Sequence, residues 1–566
     1  MEAVNRDWLP LAATALAGSA ACAYAMYHLK KRAPKSMPPS PPPLNWLLGL
    51  GGSGHAPAFA RPDLHRYLTE WASKLGGVYV LYIKGPFYVV TDPFLVNQVL
   101  SRGDMAMPKH EGIYRMLDGF LAFGLPQFFS SSDENGDLWR GYRKGLAPCF
   151  SLDSLKKSFP KVRACTEKMV SMWETQYFAT GEAVPIDSWM SRATLDIIGH
   201  LFYNYDFNAL DSEHNEFVEA MHENLVALSQ SLSDPIGDIL AKLFPTAKAK
   251  QSAARTERIK ALFTAVYEAV KSRGDPPADD QSVGANIMRI KKPSTGEPFP
   301  EETVFATLCV LLIGGYDTTA STCMWALYDI ARQPDVQKRI AQELAGAGLL
   351  QVPGQAPARQ LEWADLAAFP YFNAVLKESM RLHTTAATGT VRVCPKNAML
   401  GGWQIPKGSV VWLPFHAMHN SIHNFSAPEV FDPERWLGQL PTGGKPNPTP
   451  NTVHLHATAT AANPPLAENK ADSGPTHPSF ATPHGDARVP PSKAMLPFSD
   501  GSRGCIGMNL AYVDARTILL SILSKFWLEL DPSVGPHDKV EASQVMALVL
   551  TSGIPIKLRL KSHAPL

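Results

Sequence analysis

Apolar and polar positions along this chain alternate mostly with helical spacing, interrupted by a few short strand-like runs. Leu9–Leu29 is a nearly uncharged, Ala-rich run of 21 residues, close to the roughly 20 needed to cross a bilayer as a helix. From Asp63 a helical stretch runs to about Leu75, followed by two β-like runs, Gly77–Lys84 and Phe87–Thr91. The rest of the N-terminal half reads as amphipathic helices punctuated by Pro and Gly. Pro300–Gln333 reads as one helix, with Glu301 and Glu302 in its first turn and Pro334 just past its end. At 1.5 Å per residue it spans roughly 50 Å. Val391-Arg-Val, Trp403-Gln-Ile and Val410-Val-Trp-Leu read as short strands, and Met508–Ile522 returns to helical spacing. The predicted fold class is mainly α with small β-sheets.

The periodicity fails at residues 438–493, which are rich in Pro, Thr, Ala, Asn and Gly with Phe480 the only aromatic. Such a segment buries too little apolar surface to offset its ordering entropy. Its His454, His456, His477 and His484 are irregularly spaced and read as solvated loop rather than metal ligands. The predicted organisation is a membrane anchor (1–33), a Pro/Gly-rich hinge (34–60), a first part of the folded domain (61–437), a disordered insertion (438–493) and a second part of that domain (494–566).

Charge orients the anchor. Lys30-Lys31-Arg32 and Lys35 follow the apolar run, so that flank belongs on the cytoplasmic side and the large domain in the cytosol. A cleaved signal or an organellar transit peptide are the alternatives. The prolines at 38, 39, 41, 42 and 43 suggest a stiff spacer. Over the whole chain 53 basic residues face 52 acidic ones, which gives no reason to expect nucleic acid as a partner. The seven cysteines include no Cys-x-x-Cys pair, which argues against a disulfide framework or zinc ribbon. Gly49-Leu-Gly51-Gly-Ser-Gly54 follows prolines rather than a strand and is set aside as a dinucleotide site.

The candidate chemistry centres on Phe498-Ser-Asp-Gly501-Ser-Arg503-Gly-Cys505-Ile-Gly507. Cys505 ends a glycine-jointed loop directly before a helix, whose N-terminus stabilises a thiolate and lowers its pKa. Gly501 and Gly507 let the backbone turn sharply and aim N–H groups at the sulfur. Phe498 can cover one face of a flat ligand. Further upstream, Gly314-Gly315-Tyr316-Asp317-Thr318-Thr319 interrupts the long helix. Two glycines there cost about 1 kcal/mol each relative to alanine, which suggests that something approaches the backbone closely. Glu378 and Arg381 lie one helical turn apart and suit a carboxylate–guanidinium pair. Arg435, in Pro433-Glu434-Arg435-Trp436, can share that carboxylate. Trp139 and Arg143, four apart, can reach one anion together.

These motifs resemble, in order, those of the cytochrome P450 family: Trp-x-x-x-Arg, the Gly-Gly-x-Asp-Thr-Thr element, Glu-x-x-Arg, Pro-Glu-Arg with Trp436 in the aromatic position, and the cysteine loop. The region from Arg381 to Gly408, with Met418-His419, resembles the membrane-bound eukaryotic branch. The resemblance implies the fold of that family and a haem b held through Cys505. A thiolate ligand pushes electron density to the iron and favours O–O cleavage. It further implies cofactor contacts from Arg503, Phe498, Gly501, Gly507, Trp139, Arg143 and Arg392. Thr318 is then expected to hydrogen-bond dioxygen and steer protonation, with Asp317 relaying protons, while Glu378, Arg381 and Arg435 are structural. The implied activity is insertion of one oxygen atom from O2 into a lipophilic small molecule. Electrons come from NADPH through a membrane-bound reductase, with cytochrome b5 a further candidate donor. Peroxide isomerase or dehydratase chemistry and a non-catalytic haem protein remain alternatives. The expected location is the endoplasmic reticulum membrane, with a plastid membrane as the alternative. The loop Met105–Phe129 (Met107, Phe120, Leu121, Phe123, Phe128, Phe129) and the stretch Thr384–Thr390 are expected to line the substrate pocket.

Overall fold

The long apolar run forms, in a computed structural model of the chain, a single 31-residue helix, Glu301–Ala331, which is the axis of the molecule. The structure describes residues 37–45, 54–61, 63–101, 106–132, 136–233, 247–274, 277, 280–350, 357–437, 491–535, 540, 542–544, 548–550 and 554–560. The predicted anchor, much of the hinge and nearly all of the 438–493 insertion lie outside these residues.

The central helix is apolar on almost every face because it is covered on almost every face. Ile186–Ile198, Pro370–Leu382 and Met508–Lys525 all pack against it. Most of its residues are buried, from Thr303 through Ile313 and again from Thr319 to Ala331 apart from Thr322. It stops before Gln333 because Pro334 cannot continue the helix and instead starts the next, Pro334–Gly346.

The two predicted N-terminal strands appear as Val78–Tyr82 and Pro86–Val90. They form a four-stranded sheet with Val410–Leu413 and Thr390–Val393, in the order 78–82, 86–90, 410–413, 390–393. The 86–90/410–413 pairing is parallel and the other two are antiparallel. Trp403–Ile405 pairs with Ala398–Leu400. A second sheet joins Val184–Pro185, Pro555–Leu560 and Phe526–Leu530. The chain is thus mainly helical with small sheets.

Two expectations need correction. Part of the predicted hinge is docked: Val80 N–H donates to Pro39 O at 2.9 Å, and the buried His55 ring bridges Pro41 O (3.0 Å) and Tyr82 N–H (2.9 Å). Backbone groups at a sheet edge gain partners there, so the Pro-rich segment serves as an edge cover rather than a free spacer. The segment Met105–Phe129, read as a loop, contains the helix Glu111–Leu121, whose glycines at 112 and 119 obscure its helical spacing.

Candidate active site

The cysteine loop is closed by its own backbone. Cys505 N–H donates to Phe498 O at 2.9 Å and Gly504 N–H to Gly501 O at 3.2 Å. Gly501 has φ of +71°, and a Cβ there would sit 1.8 Å from Leu100 O, so only glycine fits. Its N–H goes to Asp500 Oδ1 at 2.7 Å, not to the sulfur as expected. Gly507 is the residue whose backbone N–H serves Cys505, and it immediately precedes the helix Met508–Lys525.

Cys505 differs from the other described cysteines, which are all buried: its side chain faces a cavity of about 550 Å3. Removal from bulk water pushes its thiol up, against the lowering by the Gly507 N–H and the nearby Arg143 cation. The lowering expected from the helix start is present but outweighed. Desolvation of the charged form outweighs one N–H and one guanidinium.

The same cavity is lined by Phe498, Arg503 and Gly507 from the loop, by Trp139 and Arg143, by Arg392, and by Thr318. Arg143 Nη1 donates to Gly504 O at 2.9 Å, tying its helix, Asp137–Leu146, to the cysteine loop. The Arg503 guanidinium lies 4.4 Å from the centroid of the Trp139 ring, so these two predicted contacts meet each other. Arg392 Nη1 donates to Met107 O at 3.2 Å. Phe498 packs on Tyr512 at 5.2 Å. Two predicted site residues, Gly501 and Asp317, do not line the cavity.

The two helix glycines have separate causes. A Cβ on Gly315 would meet Ile198 Cδ1 at 2.8 Å, so Gly315 permits close helix packing. A Cβ on Gly314 would meet nothing within 4 Å, and Gly314 opens onto the cavity. Thr318 donates its hydroxyl proton to Gly314 O at 2.9 Å and keeps its lone pairs for the cavity. The Asp317 Oδ2 atom is buried without a hydrogen-bond partner, and burial pushes its carboxyl up to about 6.

Glu378 and Arg381 are both 0% exposed, so their charges must be met inside the protein. Arg381 donates to Glu378 through Nε (3.0 Å) and Nη2 (2.8 Å), and Arg435 Nε adds a third bond at 3.2 Å. Sequence reading missed two further donors, Trp436 Nε1 (2.9 Å) and Asp432 N–H (3.0 Å). With Trp436 the aromatic position also supplies an N–H, which an ordinary hydrophobic ring would not.

Two other residues were missed. His419 accepts from Leu496 N–H through Nε2 (2.9 Å), so Nδ1 carries the proton and donates to Thr384 Oγ1 (2.7 Å). It thereby joins the chain just before the cysteine loop to the segment after Glu-x-x-Arg. Burial and Arg381 depress its pKa to about 3, which keeps that tautomer neutral. Lys109, 6% exposed, lines the cavity with its ammonium 4.3 Å from the Tyr114 ring centroid and 3.6 Å from that of Phe129. A lone lysine carries no sequence signal. Of the predicted pocket residues, Leu121, Phe128, Phe129 and the stretch 385–390 apart from Ala387 line the cavity. Phe123 instead stacks on Phe305 in the core, and Ile113, Tyr114 and Leu117 take part in the lining.

The donor set fits a haem: one sulfur for a metal, apolar walls for a flat ring, and arginines, among them Arg143, Arg392 and Arg503, for carboxylates. Fold and site thus define a helical protein whose cavity is lined by one of the described cysteines, Cys505. The chain belongs to the cytochrome P450 family, whose model matches residues 38–447 and 479–558. It is 25% identical over 537 residues to human cytochrome P450 4F8, covering 92% of this chain and 89% of that protein. It is 25% identical over 503 residues to mouse leukotriene-B4 omega-hydroxylase 3 (87% and 84%). To cytochrome P450 monooxygenase sphH of Aspergillus fumigatus it is 25% identical over 521 residues (90% and 85%). The protein is an oxidoreductase of the monooxygenase class, and its family uses haem and dioxygen.

Proposed function

We propose that this chain inserts one oxygen atom from dioxygen into a lipophilic small molecule. Electrons come from a separate NADPH-dependent reductase at the endoplasmic reticulum membrane. The observation that carries the reading is that Cys505 and Thr318 line one largely apolar cavity. The relatives support the oxidative class, and the mouse relative's name supports a lipid-like substrate. Cys505 would hold the haem iron, with Trp139, Arg143, Arg503 and Arg392 meeting its carboxylates, Phe498 and Gly507 lying beside it, and Gly501 shaping the loop. When bound, that group supplies the dioxygen activation and electron acceptance that no side chain can.

The chain's own residues do the rest. The apolar lining excludes water and strengthens each polar contact inside. Thr318 presents its hydroxyl at the open notch made by Gly314, where it can take a proton from one side and give it to the other. Asp317, next in sequence, has its carboxyl pushed up to about 6 by burial, which suits it to gain and lose a proton around neutrality. The test is turnover with reductase, NADPH and isotopically labelled dioxygen over a lipophile panel chosen by binding-difference spectra. One labelled atom in the product is expected. Unlabelled product from a hydroperoxide without NADPH would contradict the reading.

Two mutations probe the proton path. Thr318→Ala is expected to cut product formation by roughly a hundredfold while NADPH consumption continues, measured as product per NADPH oxidised. Asp317→Asn is expected to change the pH dependence of stability. The folded carboxyl holds its proton up to about pH 6, above the ordinary value of 3.8. The folded state therefore binds more protons than the unfolded state between these values, and stability falls as pH rises through that window. The asparagine variant lacks this slope, so the wild-type urea midpoint should fall relative to the variant's between pH 4 and pH 7.5, and a difference that stays constant over that range would contradict the raised carboxyl.

A further inference from the structure

The cavity wall beyond Thr318 carries a second hydroxyl pair. Thr322, one turn along the central helix, and Thr385, three residues after the helix Pro370–Leu382, both line the cavity, and their Oγ1 atoms are 3.1 Å apart. The cavity they face is largely apolar, with Leu376, Met380 and Phe415 also in its wall. The direction of the bonds can be worked out. Thr322 gives its only hydroxyl proton to Thr318 O at 2.9 Å. Thr385 must therefore be the donor in the shared contact, and its oxygen keeps a lone pair for the cavity.

We infer that Thr322 and Thr385 form a hydroxyl-recognition site and that the substrate is a lipophile bearing an alcohol group. This rests on the monooxygenase reading. The ligand's O–H donates to Thr385, which donates to Thr322, which donates to the Thr318 carbonyl. All the bonds run in one direction, and each polarises the next. A ketone can bind here only if Thr385 turns its proton away from Thr322, which gives up one hydrogen bond for another. A bare hydrocarbon leaves the Thr385 lone pair unmet in a dry wall. Because the pair sits one turn from Thr318, the anchored hydroxyl fixes which carbon of the ligand reaches the reactive end of the cavity.

The test compares cyclododecanol, cyclododecanone and cyclododecane, which share one carbon skeleton, by the ligand-induced shift of the haem absorption band. The wild type is expected to bind the alcohol about three- to tenfold more tightly than the hydrocarbon. Thr385→Val should erase that preference by weakening the alcohol alone, while Thr385→Ser, which restores the hydroxyl, should recover it. Equal weakening of alcohol and hydrocarbon, or no change in either, overturns the inference. So does a loss that falls on the ketone instead of the alcohol. The reduced carbon monoxide spectrum, recorded first on each protein, separates the two levels of failure. A missing thiolate band in the wild type overturns the monooxygenase reading together with this inference, whereas a normal band without discrimination overturns the inference alone.

Discussion

Replacing Cys505 by serine is expected to reduce turnover to background and to remove the red-shifted carbon monoxide band. The hydroxyl of serine is a far weaker anion than a thiolate, and the push of electron density toward the metal is lost with the sulfur. No nearby cysteine can take over, because the other described cysteines are buried away from the cavity. Cys149→Ser is the matched control: its thiol is buried and faces Ser282 O rather than the pocket, so band and turnover should persist. If the Cys505→Ser protein kept both, the assignment of the ligand would be wrong.

The second large effect is expected at a residue that never enters the cavity. Glu378→Gln removes the charge that balances Arg381 and Arg435 in a fully buried setting. Stripping one member from a buried ionic network leaves charge uncompensated and costs about 3–5 kcal/mol. Domains are typically stable by only about 5–15 kcal/mol, so the variant should denature at markedly lower urea and retain little haem. Arg381 Nη1 also donates to His419 O (3.1 Å), and His419 reaches Leu496 before the cysteine loop. Damage at Glu378 therefore has a short path to the loop. An unchanged urea midpoint would contradict this account of the network.

How much the sequence reveals depends on the range of the interaction. The central helix, the first sheet strands and the Glu378–Arg381 pair follow from spacing within one element, and the structure has them within a few residues of the expected bounds. Contacts made across the fold are less legible. Nothing in the sequence says that the Trp436 indole N–H reaches Glu378, or that His419 bridges two segments, because each partner lies dozens of residues away. The glycine pair shows the same limit. Composition marks Gly314 and Gly315 together, but only the packed structure assigns one to Ile198 and the other to the cavity. The Cys505 thiol was misjudged for a related reason: a helix start is visible in sequence, whereas the depth of burial that opposes it is not.

The substrate class is the least legible part, since lining residues from many separated segments decide it. Thr385 falls in the stretch expected to line the pocket, but nothing in the sequence pairs it with Thr322, 63 residues away, and their shared hydrogen bond exists only in the folded chain.

The most direct measurement is the carbon monoxide difference spectrum of the reduced, haem-loaded full-length protein. A red-shifted Soret band is predicted, from thiolate ligation by Cys505. In folded, haem-loaded protein, the shorter-wavelength band of a neutral axial ligand alone would contradict the central claim.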